Sequence, residues 1–412
     1  MEHSQTMVDA DFKTDFPSEM VKEGKVKVVV PKLSAFVRQP SDYAPSKAPV
    51  FYNPVMELNR DISVLAFQAH QHIVNKEISI CDPLTGSGIR GIRFATEIHR
   101  VKKVVISDIS ERAVKLAKHN VYLNGLQDRV TVQHKDANCL LSCHGAPRKR
   151  FDIVDVDPFG SPVPYLGSAI RALRNNGLLA VTATDLAPLC GVHSKACVRK
   201  YGGKPLRTEY CHELAVRLLA GCIATVAAKH DIGIRVVFSH CSDHYVRVYV
   251  AIGYGAKKAD ESVKNLGYML HCFNCMHRET AKNPFAKRIE KCAECGSKMD
   301  YAGPLWLEKI FDTRFCELMA KENMHTAFRN SGKIAKLLSL AKGEAEAPVT
   351  YYVLDKISDK LALPVPPVDA LLQILRDSGF QAFPTHFNSR GIRTDALALT
   401  VQKLLQKLVA AA

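Results

Sequence analysis

Cys81-Asp82-Pro83-Leu84-Thr85-Gly86-Ser87-Gly88-Ile89-Arg90-Gly91 is the stretch on which the fold turns. It follows a short β-type run, Ile78–Cys81, and opens a segment of helical pattern. Its G-x-G-x-x-G spacing therefore sits where a strand–turn–helix unit cradles a nucleotide-like cofactor, with glycines allowing a tight turn and close backbone approach. Outward from this loop, β-type runs and helical stretches alternate from Ile78 to Tyr254, as in a doubly wound parallel sheet. The strand candidates are Ile78–Cys81, Val104–Ser107, Val130–Gln133, Ile153–Asp157, Leu178–Thr182, Ile234–Ser239 and Tyr245–Ile252. Between the second and third, Ser110 reads as an N-cap and Gly125 as the stop of a helix over Glu111–Asn124. The last two strands leave no room for a helix between them, so they pair antiparallel at one edge.

Five α/β units ending in such a pair are the pattern of an α/β, Rossmann-like class I methyltransferase. Asp108 closes the second strand, where a carboxylate accepts hydrogen bonds from both hydroxyls of a ribose; NAD and S-adenosylmethionine both fit at this point. Asp136 follows the third strand and can hold an adenine amine while the Ala137 N–H meets a ring nitrogen; a turn or helix cap is the alternative. Arg60 and Arg90 offer bidentate forks to a cofactor carboxylate. The fourth strand ends in Asp157-Pro158-Phe159-Gly160-Ser161-Pro162, which suits methylation of an exocyclic amine and has no use in an NAD enzyme. Such an amine has its lone pair delocalised into the ring. A carboxylate at Asp157 and the carbonyl of Pro158 can each accept one of its N–H bonds, favouring a pyramidal nitrogen, while Phe159 stacks on the extruded base.

The chain has 412 residues, enough for two domains, and 56 Lys+Arg against 41 Asp+Glu give a formal charge of +15. That surplus favours a polyanionic partner. The start lacks the basic and apolar regions of a signal peptide, the apolar run Leu214–Ala228 is interrupted by Arg217, and 13 cysteines without a secretion signal imply reduced thiols. An intracellular protein without membrane attachment is expected. Cys272, Cys275, Cys292 and Cys295 form C-x2-C-x16-C-x2-C, the spacing of a zinc ribbon, and four thiolates close a structural Zn2+ site against substrate water. The insert Lys282–Lys291 is basic and reads as projecting toward RNA or solvent. Helical runs at Ile334–Leu340 and Val368–Leu375, with Lys333, Lys336, Arg390 and Arg393, suggest a helical or winged-helix module that reads the shape and phosphates of a nucleic acid, or else a scaffold.

Taken together these motifs resemble the tRNA (guanine-26-N2)-dimethyltransferase family. The likeness is carried by Phe51-Tyr52-Asn53-Pro54, Leu58-Asn59-Arg60-Asp61, the glycine loop, Asp157–Pro162, Val181–Asp185, Ala187-Pro188-Leu189-Cys190-Gly191, Arg199-Lys200-Tyr201, Asp243-His244-Tyr245, Gly303–Trp306, Thr385–Phe387 and Gly391–Asp395. The resemblance implies one or two methyl transfers from S-adenosylmethionine to N2 of guanine 26 of tRNA. Arg60, Arg90, Asp108, Asp136 and Ala137, with Gly86 and Gly88, would bind the cofactor; Asp157 would be the catalytic carboxylate. Phe51 and Phe159, with Pro158, would hold the guanine. Expected divisions are a disordered start at 1–20, a methyltransferase domain at 21–258, and a tRNA-binding, mainly helical or α+β domain at 259–412 carrying the ribbon at 270–300. A monomer is expected, cytoplasmic, or nuclear in a eukaryote. An amine methyltransferase acting on DNA or protein, and a non-catalytic RNA-binding protein on the same fold, are the alternatives; retention of Asp108 and Asp157 speaks against the second.

Overall fold

The computed structural model describes residues 13–37, 39, 44–283 and 291–411. The expected disordered start falls on residues 1–12, outside this set, but its remainder is ordered: β1 (Ser18–Glu23) pairs antiparallel with β2 (Val26–Pro31). Alternation explains why. Val26, Val28 and Val30 are buried, while the other edge of β2 is satisfied by Asn120 Oδ1 accepting from Val29 N–H at 2.7 Å and Asn124 Oδ1 from Lys27 N–H at 3.2 Å. Most of the basic insert, 284–290, lies outside the described residues.

All seven strands read from the sequence are present: β3 (Ile78–Asp82), β4 (Val101–Asp108), β5 (Val130–His134), β6 (Phe151–Val156), β7 (Leu173–Ala183), β8 (Ile232–Ser242) and β9 (Tyr245–Tyr254). They form one sheet in the order β5-β4-β3-β6-β7-β9-β8, with β3, β4, β5 and β6 linked by parallel pairings and β8 and β9 antiparallel. The chain starts this sheet in its middle and then returns to the far side of its first strand. Between β3 and β6 lies the switch point where such sheets bind their ligands, beyond the strands' carboxyl ends. The Ser110 cap is made, its side chain accepting from Ala113 N–H, and the helix it starts runs Glu111–Leu123 before Gly125 at φ 63°.

By packing, the chain divides into two compact units, each discontinuous in sequence. One comprises residues up to Asp157, Ser168–Ala180 and Lys321–Ile334; the other comprises Pro158–Gly167, Val181–Ala320 and Ala335–Ala412. In the first, the core of the parallel strands is bordered by a buried ion network. Arg93 meets Glu23 at 2.8 Å, Asp61 at 2.7 Å and Glu97 at 2.9 Å, tying the hairpin to the helices Glu57–Val74 and Ile89–Glu97. Removing one partner of such a network leaves an uncompensated buried charge, at a cost of about 3–5 kcal/mol.

The second unit is centred on the helix Cys211–Ala228, which is long and apolar enough to cross a membrane, yet 72 % of it is buried within the protein. Arg217 in its middle is paired to Glu213 at 2.8 Å and donates to the carbonyls of Trp306 and Glu308. Beside it lies the three-stranded sheet β11-β10-β12, built from β10 (Leu266–His271), β11 (Arg278–Ala281) and β12 (Asp300–Trp306). The last part is α+β: β13 (Tyr352–Val353), β14 (Ala382–Pro384) and β15 (Gly391–Thr394) in the order β13-β15-β14, with helices Leu354–Leu361, Val368–Asp377 and Ala398–Ala410. Leu371, Leu375, Ile392, Val401 and Leu405 form its core. Arg393, expected to read phosphates, is instead buried between Glu213 at 2.8 Å and Glu344 at 2.7 Å, because an unpaired guanidinium there would be prohibitively desolvated.

Candidate functional site

The glycine loop leaves β3 at Asp82 and enters the helix Ile89–Glu97 through Gly88, at φ 83°. Gly86 has φ 54°, and a Cβ there would stand 2.9 Å from the Phe51 carbonyl oxygen, so glycine is required both for the turn and for the passage of the 50–52 segment beside it. At Gly91 a Cβ would meet Ile106 at 2.2 Å; the missing side chain lets the helix lie on β4. Asn120 donates to the Ser87 carbonyl at 2.9 Å and so anchors the loop from the next helix.

Asp108 comes directly to this loop. Its Oδ2 accepts from Gly86 N–H and its Oδ1 from Ser110 N–H, both at 2.9 Å. Each carboxylate oxygen has a second lone pair, so two backbone bonds fix the group while leaving it able to accept ribose hydroxyls. Asp136 caps the helix Ala137–Cys143, its Oδ1 accepting from Cys139 N–H at 3.0 Å, and Ala137 is the first helical residue. The cap reading of Asp136 is thus realised, at the carboxyl end of β5.

Arg90 and Asp157 form the centre. Arg90 Nη2 is 2.6 Å from Asp157 Oδ2 and Nη1 is 3.3 Å from Asp155 Oδ2. The guanidinium also donates to Asn59 Oδ1 and to Ser63 Oγ on the helix Glu57–Val74. Arg90 therefore does more than wait for a cofactor carboxylate: it joins the glycine-loop helix to the end of β6. Arg60 has its Nε and Nη2 on the two oxygens of Glu23, at 2.5 and 2.6 Å, and Nη2 also on the Asn53 carbonyl. That fork is engaged by the protein, and its partner Glu23 escapes sequence reading because it lies in a hairpin with no motif of its own. Beneath the loop, Asp82 is fully buried and accepts from Thr85 Oγ1 at 2.8 Å; burial, with nearby Asp155 adding to it, pushes its carboxyl up to about 7.

Pro158 and Phe159 continue the chain from Asp157 into the second unit. Pro158 is buried, whereas Phe159 is 65 % exposed, which leaves its ring able to meet a ligand. The following turn is pinned: Gly160 N–H donates to Thr184 Oγ1 at 2.7 Å, and Thr184 N–H to the Gly160 carbonyl at 3.0 Å. Ser161 Oγ donates to Tyr201 Oη, which donates to Asp185 Oδ1; Lys200 Nζ holds Asp185 Oδ2 at 3.0 Å. Thr184, Asp185 and Tyr201 thus brace the loop, a role that single-sequence reading does not reveal since Thr184 and Tyr201 lie 24 and 40 residues from their partners.

The four cysteines of the quartet converge, all sulfurs within 4.8 Å of one another, with Cys272–Cys295 and Cys275–Cys292 each at 3.5 Å. Four thiolates at about 2.3 Å from one tetrahedral Zn2+ stand about 3.8 Å apart, so the set fits the ion. Each knuckle turns through a positive φ just after its second cysteine, at Met276 (67°) and Gly296 (70°). His277 Nδ1 is paired to Glu294 at 2.5 Å and His271 Nδ1 to Tyr210 at 3.0 Å, and the potential ligand atoms that converge here are the four sulfurs.

Comparison with known proteins gives one consistent set of relatives for the chain. The family model described as N2,N2-dimethylguanosine tRNA methyltransferase matches residues 24–406. A tRNA (guanine(26)-N(2))-dimethyltransferase of Methanobrevibacter smithii is 42 % identical over 394 residues, covering 96 % of this chain and 98 % of its own. A tRNA (guanine(26)-N(2)/guanine(27)-N(2))-dimethyltransferase of Aquifex aeolicus is 36 % identical, with 95 % and 96 % covered. Among solved structures, Trm1 from Pyrococcus horikoshii in complex with S-adenosyl-L-methionine is 35 % identical, with a TM-score of 0.82 over 94 % of this chain and 99 % of that one.

Proposed function

The chain belongs to the N2,N2-dimethylguanosine tRNA methyltransferase family, and on that premise we propose how its residues divide the reaction. It is an S-adenosylmethionine-dependent enzyme that dimethylates N2 of guanine 26 in tRNA, by way of the monomethylated base. S-adenosylmethionine supplies each methyl group from its sulfonium. We assign its binding to Gly86 and Gly88 at the backbone turn, Asp108 at the ribose, Asp136 and Ala137 at the adenine, and, at the carboxylate end, Arg90 together with Arg60 through its Nη1, since Glu23 and Asn53 hold Arg60 Nε and Nη2. Asp157 accepts one N–H of the guanine amine and then its proton, and the Pro158 carbonyl accepts the other. Phe51 and Phe159 take the faces of the extruded base. In the second round the amine carries one methyl and one N–H, so the space beside Asp157 has to admit a methyl group.

The observation that carries this reading is the 2.6 Å pair between Arg90 and Asp157, which brings the fourth-strand carboxylate to the glycine-loop helix. We assign the reaction to residues 21–258 and tRNA binding to residues 259–412, with the ribbon as a structural zinc site. The working form is a monomer, acting where tRNA matures, in the cytoplasm or in a eukaryotic nucleus. Incubation with an unmodified tRNA transcript and S-adenosylmethionine, followed by nucleoside mass spectrometry, tests it. N2-methylguanosine followed by N2,N2-dimethylguanosine is expected, both lost when guanine 26 is replaced by adenine. Methylation that persists on the adenine-26 transcript would refute the assignment.

A further inference from the structure

Within the second unit a cleft of about 530 Å3 opens between the helix Ser194–Tyr201 and the ribbon strands β10 and β12. Its volume falls in the range of about 300–1,000 Å3 typical of small-ligand pockets. One wall presents Lys195, Val198 and Arg199, all exposed, on successive turns of the helix; the opposite wall presents Tyr268 and Tyr301. The floor is closed by a β-bridge in which Lys204 and Gly303 exchange both backbone hydrogen bonds, at 2.8 Å each. The aromatic wall is held in place. The two rings meet edge to face with centroids 5.9 Å apart, and Lys204 Nζ sits 4.3 Å from the Tyr301 centroid while paired to Asp300 at 2.5 Å. Lys204 is thus committed to the wall, whereas Lys195 and Arg199 stand on the exposed face of their helix.

Two cations opposite a fixed aromatic pair are the complement of a nucleotide: a phosphate for the guanidinium and ammonium, a planar base for the rings. The helix that carries Arg199 also carries Tyr201, whose hydroxyl holds Ser161 in the turn after Asp157-Pro158-Phe159. The cleft is therefore coupled through one short helix to the loop that receives the target base. Extruding a base costs a few kcal/mol of unstacking, which contacts to the flanking nucleotides can offset. We propose that this cleft binds one nucleotide of the tRNA strand near the methylated guanine, its phosphate between Lys195 and Arg199 and its base or ribose against Tyr268 and Tyr301. This rests on the tRNA reading above and gives the ribbon a second task, as a wall of the RNA site.

The test uses the full-length enzyme and a tRNA transcript. Lys195→Ala/Arg199→Ala, which alters exposed side chains only, is expected to raise the tRNA KM about tenfold or more. It should also lower the slope of log Kd against log salt by about one for each phosphate left without its cation. S-adenosylmethionine affinity stays at the wild-type level. Tyr268→Ala is expected to weaken tRNA binding about fivefold or more, with Tyr268→Phe restoring it, since stacking needs the ring and not the hydroxyl. Wild-type KM and salt slope in the double variant would overturn the proposal, as would equal loss in Tyr268→Phe and Tyr268→Ala. A wild-type enzyme that leaves tRNA unmethylated would instead overturn the reading beneath it.

Discussion

Asp157 illustrates what a residue can announce by itself and what it cannot. A carboxylate before Pro-Phe at a strand end reads as an amine-activating group from the sequence, because the chemistry needs an acceptor there. Its partner Arg90 was legible only as a cation near the glycine loop; that it holds Asp157, Asp155, Asn59 and Ser63 together emerges from tertiary packing. Asp82 was not legible at all, since nothing in a sequence reports burial under a loop. Its carboxyl, with an ordinary value of 3.8, is raised to about 7 in the fold. Between those values the native protein holds a proton that the unfolded chain has lost, so stability falls as pH rises from about 4 to about 7. Asp82→Asn is expected to flatten that part of the stability profile, read by denaturant midpoints across the range; an unchanged pH slope would mean the group titrates normally. At Phe159, 65 % exposed, Ala should fold as wild type but lose at least fivefold in kcat/KM for tRNA, while Tyr retains most activity. Equal kcat/KM for Phe159→Ala and wild type would remove the ring from base binding.

Among the elements, the parallel strands were the most legible, since runs such as Ile78–Cys81 and Ile153–Asp157 are short, apolar and spaced by helical lengths. Their ends moved by a few residues, as with β7, which begins at Leu173 rather than Leu178. The C-terminal module is legible only as helices with basic residues, and nothing local to Arg393 signals its pairing to Glu213 and Glu344, which is a long-range property. The ribbon's connection to that module was equally hidden. Glu294, inside the second knuckle, accepts from the N–H groups of Ala398 at 3.1 Å and Leu399 at 2.7 Å and so caps the last helix. Gln402 on the same helix donates to the Cys275 carbonyl at 2.8 Å. Loss of zinc should therefore destabilise the C-terminal module as well as the knuckles. Hydrogen exchange after chelation should deprotect the amides of Ala398–Ala410 along with 270–300; protection unchanged in the helix would separate the two. Glu294→Ala, which removes the buried His277 pair along with the cap, should cost more than the about 1 kcal/mol of a lost helix cap in a denaturant titration with zinc retained.

For the molecule as a whole, the +15 formal charge favours a polyanionic partner, and binding to such a partner weakens steeply with salt. The expected single boundary near residue 258 does not coincide with the compact units, which interleave 158–167 and 321–334 into opposite halves. Such returns of the chain carry no local signal of composition, whereas the catalytic constellation does, because chemistry restricts residue type more tightly than packing does. The central claim is that Asp157 takes the proton of the guanine amine. Methyl transfer to a tRNA transcript in a single turnover, wild type against Asp157→Asn, tests it most directly, with S-adenosylmethionine and tRNA affinities measured alongside. The asparagine variant should bind both and transfer methyl about a hundredfold more slowly or worse; transfer at the wild-type rate would contradict the account.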